Sequence, residues 1–84
     1  MSDPNKSLSG PLPFDFLPEL RADIQEAMGM AGIYAGMAQD FAAVADDAGL
    51  AYTLRRFMAY TRAAIGSFND LADILKRNET SEAA

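Results

Sequence analysis

Cysteine, histidine and tryptophan are all missing from this chain of 84 residues. Without cysteine there is no disulfide framework and no thiolate metal site. Without histidine the most common general acid–base group and the usual imidazole ligand are gone as well. Serine and tyrosine are present, but neither acts as a nucleophile without a base to activate it, and no such pairing stands out. Long apolar runs are missing too. The longest uncharged stretch, "AMGMAGIYAGMAQ" from Ala27 to Gln39, is well short of the roughly 20 residues that span a bilayer. The opening "MSDPNKSLSG" has no apolar core of the kind a secretory leader carries, so the expectation is a soluble, cytoplasmic chain.

Basic residues are scarce. Seven Lys and Arg against twelve Asp and Glu leave a net charge of −5, which argues against nucleic acid as the main partner, because phosphate binding is driven by cationic side chains. The acidic residues do not build a site either. None lies on the apolar stripes described below, so nothing resembles the inward carboxylate sets of di-iron bundles. Asp46 and Asp47 read as a solvated acidic turn rather than a cation site. No cofactor or metal is expected, and an enzyme is the least expected class.

What the chain does have is apolar periodicity. Half of its residues are hydrophobic, and over two stretches they recur in alternating steps of four and three. Leu20, Ile24, Ala27, Ala31, Tyr34, Ala38, Phe41 and Ala45 form one stripe; Leu50, Leu54, Phe57, Thr61, Ala64, Phe68, Leu71 and Leu75 form the other. The fold class is therefore all-α: an antiparallel two-helix hairpin over residues 18–47 and 50–77, with Gly49 in the turn as a left-handed helix cap. Folding about Gly49 makes facing residues sum to 98 or 99, which pairs Phe41 with Phe57 and Tyr34 with Ala64. It also brings Asp40, Asp46 and Asp47 near Arg55 and Arg56. "GSFND" at 66–70 could stop one helix and start another, but the stripe crosses it in phase and favours one continuous helix. Residues 1–17, with Pro4, Pro11 and Pro13, read as an extended arm, and residues 78–84 as a frayed tail.

The middle of the first helix is apolar or small on every side, which implies burial on more than one face. A chain this short buries only about 60% of its unfolded surface, so its stability calls for very good packing or for association. Both considerations point to a second copy and a dimeric four-helix bundle. Met30, Gly32, Ile33, Gly36, Met37 and Val44 are the expected oligomer interface, with the glycines allowing close approach. Phe14, Phe16 and Leu17 in "PLPFDFLP" are the candidate contact with an unidentified protein partner. Arg55, Arg56 and Arg62 form the only basic patch.

The function that fits best is a non-catalytic interaction or assembly module, an adaptor or accessory subunit that homo-oligomerises through its first helix. Two alternatives stand beside it. One is an amphipathic coat on lipid or polymer granules, which a membrane role without a basic interfacial face makes less fitting. The other is a small regulatory RNA- or DNA-binding hairpin dimer that would use the arginines.

Overall fold

The computed structural model describes residues 16–83. They form two helices, α1 (Leu17–Ala43) and α2 (Asp47–Ala83), packed on each other along their lengths as an antiparallel hairpin. No strand occurs among the described residues.

α1 starts where Pro18 falls in the first turn and its missing N–H costs no hydrogen bond, and Glu19 favours the positive end of the helix dipole. Its C-terminus is a Schellman cap. The Asp46 N–H donates to the Phe41 carbonyl at 2.9 Å and the Ala45 N–H to the Ala42 carbonyl at 3.2 Å, with Ala45 in the left-handed region at φ 59°. Asp46 then serves the next helix: its carboxylate accepts the Gly49 N–H at 3.0 Å, capping the first turn of α2. The turn is therefore Val44–Ala45–Asp46, and the expected helix ends at 47 and 50 move accordingly. Gly49 is not the left-handed residue, since none of the described glycines has positive φ. It lies inside α2 because an aspartate able to cap sits three residues before it.

This shorter turn resets the pairing. Phe41 lies against Gly49, where a Cβ would come within 2.6 Å of its ring. Tyr34 meets Tyr52 and Tyr60, and Leu17 clusters with Leu71 and Ile74. Facing residues sum to about 90, not 98 or 99. The expected pairs Phe41–Phe57 and Tyr34–Ala64 are thereby replaced, each helix having slid by about one turn. α2 is continuous through Gly66 and Ser67, as the unbroken stripe requires. It also extends to Ala83, so residues 78–83 are helical rather than a tail.

The stripe of α1 faces α2 as expected, with Ala27, Ala31 and Ala38 buried. In α2 every second member of the stripe is displaced by one residue. Thr53, Ala64, Leu71 and Ile74 are buried, whereas Leu54, Phe68 and Leu75 are exposed. Size decides this choice. Alanines on α1 and small residues on α2 let the two backbones approach closely, and buried Thr53 loses nothing by its hydroxyl, which donates to the Gly49 and Leu50 carbonyls at 3.0 Å. Thr53 is the largest side chain that is fully buried. Leu17, Leu71 and Ile74 make a core cluster at one end of the hairpin, while ten other large apolar side chains lie exposed.

Candidate interaction surface

Ten large apolar side chains are exposed among the described residues, and helical geometry divides them between the two flanks of the hairpin. On the first flank an open groove of about 380 Å³ runs between the helices, lined by Ala35, Ala38, Gln39, Ala42, Leu54 and Phe57. From Leu54 the same side of α2 continues in steps of four and three through Met58, Thr61, Ile65, Phe68, Ala72 and Leu75. Leu54, Met58, Ile65, Phe68 and Leu75 are all exposed, Phe68 to 56%. Across the groove α1 adds Met28, Gly32 and Ala35, all small except the exposed Met28. This face carries no charge from Ala51 to Leu75 on α2 or from Gln25 to Ala42 on α1.

The second flank is aromatic and partly charged. The Tyr34 ring stacks on Tyr60 at 5.8 Å between centroids and meets Tyr52 edge-on at 6.3 Å. The Arg56 guanidinium lies 5.6 Å from the Tyr34 centroid and 5.8 Å from that of Tyr60, within cation–π range. Hydrogen bonding to Arg56 holds the Tyr34 phenol below the usual tyrosine value, against an opposing effect of desolvation, and the same bond raises Arg56. Arg56 is thus engaged with tyrosines of this flank. Asp46, expected beside it, caps α2 instead.

The residues singled out from the sequence do not form one patch. Met30, Met37 and Val44 lie seven apart along the tyrosine flank; Met30 is half-buried, Met37 exposed, and Val44 is 73% exposed at the C-cap of α1. Ile33 is exposed beside them. Gly32 belongs to the groove flank and Gly36 to the back of α1, and no atom would lie within 4 Å of a Cβ at either. Leu17 is buried against Leu71 and Ile74, with Phe16 packed on the same cluster, so Leu17 is part of the core and closed to a partner. Phe14 lies outside the described residues. Arg55 and Arg62 are exposed, seven residues apart on the outer face of α2, and are separated from Arg56 by its tyrosine contacts.

The row Leu54, Met58, Ile65, Phe68 and Leu75 is what sequence reasoning missed as a surface. Its signal was present, because two rows run along α2 through Phe57, Ala64 and Leu71, one taking in Leu54, Phe68 and Leu75 and the other Thr53 and Ile74. Hydrophobicity alone cannot say which of them turns inward.

No group of three or more acidic, histidine or cysteine side chains is placed to hold a metal among the described residues. No described helix is long and apolar enough to cross a membrane. Comparison of the chain with protein-family models, curated proteins and solved structures gave no match.

Proposed function

We propose that this protein is a non-catalytic helical interaction module that works as an assembly with itself and through that assembly with other proteins. The small-residue packing of the hairpin carries this reading. Four of the seven buried apolar residues are alanine, while Leu54, Met58, Ile65, Phe68 and Leu75 are exposed in a row. Contiguous apolar surface of this kind marks an association site on a folded protein, and an alanine core gives an isolated hairpin little burial with which to offset chain entropy. Association supplies what the single chain lacks.

The measurement that tests this reading is solution mass. Sedimentation equilibrium is expected to return at least twice the 9.0 kDa of one chain at micromolar concentration, and a well-folded monomer would defeat the reading. The coat alternative uses the same row of α2 against lipid, and flotation with zwitterionic or anionic vesicles separates the two, since a closed assembly stays in solution. Nucleic-acid binding is supported less well, because Arg56 is occupied by Tyr34 and Tyr60 and the net charge is −5.

A further inference from the structure

From the groove flank we infer that the occupant of the uncharged face is a second copy of this chain, with α2 of each copy lying on α1 of the other. This rests on the reading of the protein as a self-assembling module and specifies its geometry. Two observations choose the occupant.

The first is area. α1 is 27 residues long, about 40 Å at 1.5 Å per residue, and two helices side by side, each about 10 Å across, present a face of about 800 Å². That is about what each partner contributes to a standard stable interface.

The second is shape. On this face α2 is a ridge of Leu54, Met58, Ile65 and Phe68, while the middle of α1 is a floor of Gly32, Ala35 and Ala42, bordered by Met28 and Gln39. The ridge of one copy fits the floor of another. A two-fold axis parallel to the helices achieves this fit: it sets both turns at the same end and keeps each residue at its own level along the bundle. Since levels sum to about 90, Met58 of α2 falls over Gly32 of the other copy. There the open space beside Gly32 accommodates the thioether, which adapts readily to irregular gaps. A two-fold axis perpendicular to the helices would set ridge on ridge and floor on floor, leaving a void that costs packing.

The test uses the full chain and single substitutions at exposed sites, each checked for unchanged helicity by circular dichroism. Met58→Glu and Ile65→Glu should each convert the dimer to a 9.0 kDa monomer, while Ile33→Glu on the other flank should leave it dimeric. Because the protein has no cysteine, cross-linking is unambiguous: a mixture of Gly32→Cys and Met58→Cys variants should oxidise mainly to the mixed disulfide pair. Dissociation by Ile33→Glu with no effect of Met58→Glu would overturn this geometry and leave the self-assembly reading intact. So would self-linked Met58→Cys dimers with no mixed species. A monomeric wild-type protein would overturn both, whether the arm covers the face in cis or nothing does.

Discussion

Ala45 is the residue on which the turn depends, and it is not the residue best suited to its place. A left-handed conformation costs an L-residue with a Cβ roughly 1–2 kcal/mol, and Ala45 holds it at φ 59°. Ala45→Gly should raise stability by about 0.5–1 kcal/mol, the relief being partly offset by the greater freedom of glycine in the unfolded chain; a shift of the urea midpoint measures it. Gly49, by contrast, is required by contact. Its Cβ would meet three atoms of the Phe41 ring at 2.6–2.8 Å, so Gly49→Ala should destabilise by about 1 kcal/mol despite the better helix propensity of alanine. Gly29, with nothing within 4 Å, serves as the control: Gly29→Ala should stabilise by about 1 kcal/mol in the same assay. At Tyr34 the folded state favours the phenolate through Arg56. That contribution is fully present above the ordinary tyrosine pKa near 10 and is lost as pH falls through the lowered folded value. The difference in melting temperature between wild type and Arg56→Met should therefore widen from pH 7 to pH 10.

At the scale of elements, the informative contrast is between α1 and α2. The stripe of α1 was legible because only one row, Leu20 through Phe41, lacks charge and glycine together. In α2 the rows through Thr53, Ser67 and Ile74 and through Leu54, Phe68 and Leu75 share Phe57, Ala64 and Leu71, and the more hydrophobic row was the wrong one for the inner face. Close helix approach selects small side chains, and a threonine bonded to its own helix carbonyls can be buried without loss. The tightness of this contact is itself testable. Ala31 is 1% exposed, and Ala31→Leu should cost about 1–3 kcal/mol through overpacking, a loss that denaturant titration would detect. The helix ends were less legible than the helices, because "DDAGLA" contains both a glycine fit for a C-cap and an aspartate fit for an N-cap. The aspartate prevailed.

For the molecule as a whole, stability and association should be inseparable. If the exposed ridge of α2 is covered in the assembly, the melting temperature should rise with protein concentration, by several degrees between 1 and 100 μM, because folding is then linked to dimerisation by mass action. A melting temperature independent of concentration over that range would mean that the single hairpin is stable by itself. The candidate surface was only half readable beforehand. Met30, Ile33, Met37 and Val44 were recognisable as surplus apolar residues on α1, but Leu54, Phe68 and Leu75 could not be counted as surface while they were assigned to the core.

The amino-acid sequence by itself determined that the chain is helical, that it folds back once close to the stretch "DDAGLA", and that α2 runs through Gly66 without a break. These follow from short-range periodicity and capping chemistry, which act within a few residues. Tertiary structure alone decided the register and the rotation of α2, because both depend on how closely two backbones can approach. The uncharged stretch Ala27–Gln39 divides in the same way. Its alanines and Tyr34 face α2, and its glycines remain uncovered by the single chain.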